Sequence, residues 1–166
     1  MNRFEKLYDD WTKLNPVKFV IVTTALAIVL TMPIGIVFQI MGLQYSEIGR
    51  PNFDKYGMAA SLILVVAIGP IIETFLGQAL PIYLTQKFSK WKTFGLSVSI
   101  STILFSLSHI GYSIWYSILI LPTGMLLALT YITFQNRQES SFWMTFSVHS
   151  LKNLIAIIFT FKEIFK

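Results

Sequence analysis

Long apolar stretches separated by short polar segments form the main pattern of this chain. Five of them lie at about residues 18–42, 57–86, 93–109, 114–134 and 142–161, and each is bounded by polar or charged residues. A helix needs about 20 apolar residues to cross a bilayer, and the stretches are close to that length. The pattern therefore predicts an all-α fold, a polytopic transmembrane helical bundle of about five spans.

The second stretch is long and is interrupted by Gly69-Pro70. Proline has no backbone N–H and disfavours helix at the residue before it, so we expect a broken second span. A helix that begins again here would begin inside the membrane and carry Glu73 in its first turn, where the positive end of the helix dipole favours a carboxylate. Irregular backbone at this depth is tolerated only where it is buried in protein or lines a wet cavity.

Composition and charge agree with a membrane protein. The chain is 54% hydrophobic and 13% charged, which is too apolar for a soluble domain of this length. The formal net charge is +5, but the cations flank apolar stretches instead of forming a basic patch, so we expect no nucleic acid as a partner. Their distribution predicts a cytoplasmic N-terminus and an outside C-terminus; a re-entrant segment around Gly69 would reverse everything downstream.

The order of segments predicts one structural domain. Mixed charges and a long first apolar run favour a retained first span over a signal peptide. We expect an N-terminal segment with the first transmembrane helix at 1–56, a core at 57–161 and a short polar tail at 162–166. The chain contains no cysteine, which excludes disulfides, thiolate metal sites and a cysteine nucleophile.

Three ionisable residues lie inside strongly apolar sequence: Glu73 and the only two histidines, His109 and His149. Such groups are costly at membrane depth and commonly mark functional sites. Residues four apart share one face of a helix. The pairs that this spacing creates are Thr74 and Gln78, Phe105 and His109, and His149 and Asn153. Three helices could therefore direct a carboxylate, two imidazoles and two amides into one cavity, a set able to activate water against a carbonyl.

The same residues, in the same order, resemble the three motifs of the CPBP family, the CAAX protease and bacteriocin-processing intramembrane peptidases. Pro70-Ile-Ile-Glu-Thr is similar to the family's Pro-x-x-Glu-Glu opening. Phe105 to His109 matches its Phe-x-x-x-His motif, and His149 to Asn153 matches its His-x-x-x-Asn motif. The resemblance covers roughly residues 58 to 160 and implies an intramembrane endopeptidase in a bacterial cell membrane, with a peptide or protein substrate and the lipid bilayer as its partners.

The resemblance also implies roles. Glu73 would activate the attacking water with help from His109, while His149 and Asn153 would stabilise the oxyanion. The chain departs from the family's first motif at Thr74, in place of a second glutamate, and at Gln78, in place of an arginine. Removing both members of a buried ion pair avoids an unpaired charge, and we expect the two neutral side chains to bond each other or to orient Glu73.

A metal ion is the main mechanistic alternative. Glu73, His109 and His149 have the composition of a catalytic His₂Glu zinc site. Against zinc, the two histidines do not have the close HExxH spacing, and the resemblance implies an enzyme without a bound metal. We therefore expect no cofactor.

Two functions other than proteolysis fit parts of the sequence. A catalytically silent bacteriocin-immunity or membrane scaffold protein would explain Thr74 and Gln78. A transporter or proton relay would use the same ionisable groups, but it needs polar residues leading to both membrane faces, and here they concentrate at one level. The sequence thus favours the peptidase.

Overall fold

The computed structural model describes residues 3–49, 57–88 and 94–164, and these residues form helices joined by short turns. In chain order the α-helices are α1 Arg3–Thr12, α2 Pro16–Ile40, α3 Tyr45–Ile48, α4 Gly57–Ile63, α5 Gly69–Thr74, α6 Leu80–Phe88, α7 Phe94–Leu107, α8 Ile114–Leu119, α9 Leu121–Phe134 and α10 Ser141–Ile164. The first π turn, Leu64–Ile68, joins α4 to α5, and the second π turn, Phe75–Ala79, joins α5 to α6. Residues 57–88 are therefore one continuous helix, called here the interrupted helix.

Within the described residues, three helices are long and apolar enough to cross a membrane: Pro16–Ile40, Ala59–Phe88 and Ser141–Phe159. Two shorter apolar helices, α7 and α9, accompany them. The predicted all-α membrane bundle is confirmed. The stretch predicted as a single span at 114–134 is instead two helices, α8 and α9, which meet at Ile120. Pro122 in the first turn of α9 explains the separation, because proline is well suited to a helix start but not to a helix interior.

The interior of the bundle contains both apolar and small polar side chains, and its exterior is largely apolar. Helix α9 packs against α2, α7 and α10, and the interrupted helix packs against α10 near its first π turn and against α7 farther along. The buried polar side chains include Thr23, Thr24, Ser97, Ser101, Thr123, Thr130 and Thr145. Many large apolar side chains, such as Ile40 and Phe159, are exposed. Small polar residues between helices and apolar residues outside are typical of helices packed in lipid.

The interruption at Gly69-Pro70 differs from the predicted one. Ile68 and Gly69 both have right-handed helical dihedrals, so no helix begins there. The Gly69 N–H donates to Leu64 O, five residues earlier, in the π-helical register. A Cβ on Gly69 would lie 2.9 Å from that oxygen, so only glycine fits without a shift. The expectation that Glu73 lies in the first turn of a helix is therefore wrong, because the π turn accommodates the proline without ending the helix.

The second π turn repeats the first one eleven residues later. The Leu80 N–H donates to Phe75 O, again five residues earlier. Pro81 stands in the same relation to this turn as Pro70 does to the first. The apolar pattern gave no sign of this repeat, because hydrophobicity is nearly uniform along the interrupted helix.

The N-terminal helix is attached to the bundle by polar contacts. Trp11 Nε1 donates to Thr23 Oγ1 at 2.9 Å. Arg137 Nη1 donates to the carbonyl oxygens of Thr12 and Leu14, both at 2.9 Å. Arg137 also pairs with Glu139 at 3.0 Å, and this hydrogen bond lowers the pKa of the Glu139 carboxyl. These contacts connect the end of α1 to the loop that follows α9.

Candidate active site

Glu73 lies between the two histidines of the chain. His109 Nε2 and His149 Nε2 each lie 3.3 Å from the same carboxylate oxygen, Glu73 Oε2. The side chain of His149 is 3% exposed and that of Glu73 is 30% exposed, so the carboxylate is the accessible member of the group. Three separate elements meet here: α5, the turn after α7, and α10.

The backbone determines which nitrogen of His109 carries the proton in the neutral ring. His109 Nδ1 lies 2.8 Å from Phe105 O, one helical turn earlier. A carbonyl oxygen can only accept a hydrogen bond, so Nδ1 is the donor. The neutral His109 ring therefore directs the lone pair of Nε2 toward Glu73 and can accept a proton there.

His149 has the opposite tautomer. Its Nδ1 is buried, and no hydrogen-bond partner for it occurs among the described residues. Its Nε2 faces the Glu73 carboxylate. A buried N–H without an acceptor is costly, so the neutral ring carries its proton on Nε2. The two imidazoles thus direct different groups toward one oxygen, a lone pair from His109 and an N–H from His149, each at 3.3 Å and outside hydrogen-bond geometry.

Glu73 Oε2 contacts both imidazoles without a hydrogen bond to either. This oxygen is buried, and within the part of the chain that the structure describes neither imidazole meets hydrogen-bond geometry with it. Buried carboxylate oxygens normally accept hydrogen bonds. The site therefore contains a buried carboxylate oxygen that lacks a hydrogen bond from the described residues.

Phe105 supports both imidazoles. Its ring centroid lies 4.8 Å from that of His109 and 5.5 Å from that of His149. A Cβ on Gly77 would lie 3.0 Å from Phe105 Cδ2, and a Cβ on Gly124 would lie 2.8 Å from Phe105 Cδ1. The ring thus fits between two helices that approach closely because each has a glycine at the contact.

Asn153 contacts the backbone before Glu73. Asn153 Nδ2 donates to Val65 O at 3.0 Å, and Ser150 Oγ donates to Val66 O at 2.6 Å. Both acceptors belong to the first π turn. Sequence reasoning did not select Ser150; the signal for it is Pro70, whose missing N–H leaves nearby carbonyls in need of a donor.

Thr74 and Gln78 are completely buried, but they do not interact as predicted. The Gln78 side-chain amide bonds to Ser101 Oγ of α7, and Thr74 Oγ1 has no hydrogen-bond partner in the described regions. Glu73 and Thr74 are consecutive, so their side chains point about 100° apart around the helix. The expectation that these two residues bond each other or orient Glu73 is therefore wrong.

Two tyrosines lie beside the imidazole of His109. The ring centroids of Tyr112 and Tyr116 lie 6.0 and 5.9 Å from that of His109, and the two tyrosine rings lie 5.4 Å apart. Tyr112 is 47% exposed. These rings were not predicted at the site, although Tyr112 follows His109 by three residues.

The same three side chains are the candidates for binding a metal ion. Within residues 3–49, 57–88 and 94–164, no three His, Asp or Glu side chains form a group that could hold a metal ion. The zinc alternative at Glu73, His109 and His149 stays a prediction to be tested.

Comparison with known protein families supports the family resemblance drawn from the sequence. The sequence model of one family, type II CAAX prenyl endopeptidase Rce1-like, matches residues 55–155. The comparisons with curated proteins and with solved structures returned no match. The matched region contains the interrupted helix from π turn to π turn and both histidines, and it covers more than half of the 166 residues. The family implies an integral membrane protein and a peptide substrate at the membrane. This chain belongs to the type II CAAX prenyl endopeptidase Rce1-like family.

Proposed function

We propose that this protein is a multi-pass intramembrane endopeptidase in which Glu73 activates water for attack on a peptide bond. The observation that carries the proposal is the buried Glu73 Oε2, which lies 3.3 Å from two imidazole nitrogens on a helix long enough to cross a membrane. A general base must lie within hydrogen-bond reach of the proton that it removes. In this proposal the base and its two helpers lie around one point.

In this proposal the different tautomers of His109 and His149 give the two histidines different roles. Glu73 takes one proton from the water, while the lone pair of His109 Nε2 accepts a hydrogen bond from its other O–H and so orients it. The water oxygen forms a bond to the carbonyl carbon, and the carbonyl π electrons move to its oxygen. When the tetrahedral intermediate collapses, the C–N bond breaks and the leaving amine takes the proton from Glu73. Each proton thus moves between groups already present in the site.

Oxyanion stabilisation falls to His149 and Asn153 in this proposal. Once Glu73 is protonated it attracts the His149 Nε2–H less, so that this donor can turn to the new oxyanion. An asparagine amide has two N–H protons. One donates to Val65 O, and the second remains for the substrate. Preorganised donors of this kind commonly contribute 10²- to 10³-fold in rate.

The decisive test is cleavage by purified protein in lipid nanodiscs. A library of membrane-anchored peptides, with and without a C-terminal prenylated cysteine motif, is incubated with wild-type protein and with Glu73→Gln, and products are identified by mass spectrometry. We expect cleavage by the wild type only. Glutamine keeps the size of the side chain but cannot take the proton, so equal cleavage by both proteins would mean that a contaminant acts.

The metal-free mechanism has its own test. Incubation with a strong zinc chelator followed by buffer exchange should leave the rate within twofold of the untreated protein, and metal analysis should find less than one zinc per ten chains. Loss of activity with recovery on adding zinc would establish instead the His₂Glu zinc site of the alternative.

A silent immunity or scaffold function is the outcome favoured if no peptide is cleaved. The neutral, buried Thr74 and Gln78 in place of the family's charged residues are the observation that supports it. In that case Glu73→Gln should leave partner binding unchanged, whereas an enzyme loses its function with the same substitution.

A further inference from the structure

Pro70 leaves two main-chain carbonyl groups without their usual donors. In an α-helix each carbonyl accepts from the N–H four residues later, and in a π turn from the N–H five residues later. Position 70 is the α-helical donor for Val66 and the π-helical donor for Val65, and proline has no N–H. The α-helical donor for Val65 would be Gly69, but its N–H already donates to Leu64 O.

Side chains from α10 donate to both of these oxygens. Ser150 Oγ lies 2.6 Å from Val66 O, and Asn153 Nδ2 lies 3.0 Å from Val65 O. Buried carbonyl groups in hydrocarbon need a partner, because no water is present to satisfy them. The two donors therefore replace one missing backbone N–H and attach the first π turn to α10.

This attachment also determines where Glu73 lies relative to His149. Glu73 follows Pro70 by three residues on the same rigid helical segment, α5, and His149 directly precedes Ser150 on α10. The bond from Ser150 thus joins α10, directly beside His149, to the backbone seven residues before Glu73, whose carboxylate lies 3.3 Å from His149. A displacement of about 1 Å in a catalytic group can reduce a rate by about a hundredfold.

We propose that Ser150 is a positioning residue: it replaces the N–H that Pro70 lacks, holds the first π turn against α10 and so places the Glu73 carboxylate against His149. The inference rests on the proposed function for its kinetic consequences but not for its structural ones. Ser150 itself touches no reacting atom. It acts through the backbone of the turn.

The kinetic test compares four proteins on a cleaved peptide. Ser150→Ala should lower kcat about tenfold and change KM less than twofold, because the lost hydrogen bond displaces the base and not the substrate. Ser150→Thr keeps the hydroxyl and should stay within about threefold of wild type. Ser147→Ala is the matched control, since Ser147 lies on the same helix and donates only to Trp143 O of that helix. Equal rates for Ser150→Ala and Ser147→Ala would overturn the proposal.

Restoring the missing N–H provides a second, independent test of the proposal. Pro70→Ala returns a backbone donor for Val66 O, so Ser150→Ala should cost less than twofold in the Pro70→Ala background. An undiminished tenfold loss in that background would show that Ser150 acts by some route other than the Val66 carbonyl.

Hydrogen–deuterium exchange decides the structural part without any activity. In Ser150→Ala, peptides that cover residues 64–75 should exchange at least threefold faster than in wild type, and in Ser147→Ala they should not. If no substrate is ever cleaved, the peptidase proposal fails while the exchange result still stands. If exchange is unchanged in Ser150→Ala, the positioning role fails whatever the protein cleaves.

Discussion

The two π turns of the interrupted helix have the same backbone design but different neighbours. Each spans five residues and is followed by one residue and then a proline. In each, a serine of another helix donates to the carbonyl oxygen four residues before the proline, which has no N–H to donate to it. Ser150 of α10 donates to Val66 O at 2.6 Å, and Ser101 of α7 donates to Gly77 O at 2.7 Å. The first turn is followed by Glu73, whereas the equivalent position after the second turn is Leu84, which is exposed.

This difference shows that a π turn with its proline is not by itself a site. π turns are frequent at functional positions, but the second one here serves packing: its Gly77 allows Phe105 to approach closely. The first turn lies against α10, the helix that carries His149. What makes a site is therefore the neighbouring helix, because it contributes both the donor to the free carbonyl and the imidazole.

The largest expected effect separates the two equivalent positions. Glu73→Ala should lower cleavage at least a thousandfold, because it removes the proposed base, while thermal unfolding in detergent changes little. Leu84→Ala, its counterpart after the second turn, should leave cleavage within about twofold. Similar losses of cleavage for the two variants would mean that the two equivalent positions do not differ in function and that any change in this helix disturbs activity.

The next effect concerns Thr74, which directly precedes the second turn, and Gln78, which lies within it. Gln78→Arg places an unpaired cation in a fully buried position and should cost on the order of 3 kcal/mol. Thr74→Glu places a second carboxylate next to Glu73, which is also unfavourable. The double variant should recover part of both losses if the new charges pair.

Folded yield and unfolding temperature of the two single variants and the double variant give the coupling energy. Strictly additive changes would show that positions 74 and 78 do not communicate across the second turn.

A smaller effect tests whether the packing around Phe105 affects the site. Gly124→Ala would place a Cβ 2.8 Å from Phe105 Cδ1, an overpacking that we expect to cost about 2 kcal/mol. Since the ring contacts both imidazoles, cleavage should fall together with stability. Gly95→Ala is the control, because a Cβ at position 95 meets nothing within 4 Å. Loss of stability with full activity would separate Phe105 from the site.

The smallest effect is expected for the donor of the second turn. Ser101→Ala removes the contacts of its hydroxyl with Gly77 O and Gln78 Oε1 and should cost about 1 kcal/mol. Cleavage by the folded protein should stay within about twofold. Ser99→Ala, an exposed position on the same helix, controls for helix propensity in the unfolding measurement. A loss of activity as large as that in Ser150→Ala would contradict the distinction between the two turns.

Much of the fold was accessible from sequence because lipid imposes simple rules. Long apolar stretches predict spanning helices, and α2, the interrupted helix and α10 follow them. The boundary inside 114–134 was missed because Pro122 lies within an apolar stretch and hydropathy does not distinguish a bent pair of helices from one span. The form of the break at Pro70 was missed because a helix can absorb a proline by a π turn as well as by ending.

The sequence by itself determined which groups are available: one carboxylate and two imidazoles in apolar surroundings, and prolines that leave carbonyl groups without a backbone hydrogen-bond donor. It also determined their order, which carries the family resemblance. Only the tertiary structure decided which atoms meet. Whether Asn153 contacts His149 or Val65, and whether Ser150 or water serves Val66, depends on how α10 packs against the interrupted helix. Helix packing is set by many weak contacts between distant segments, and no local sequence pattern reveals their combined effect.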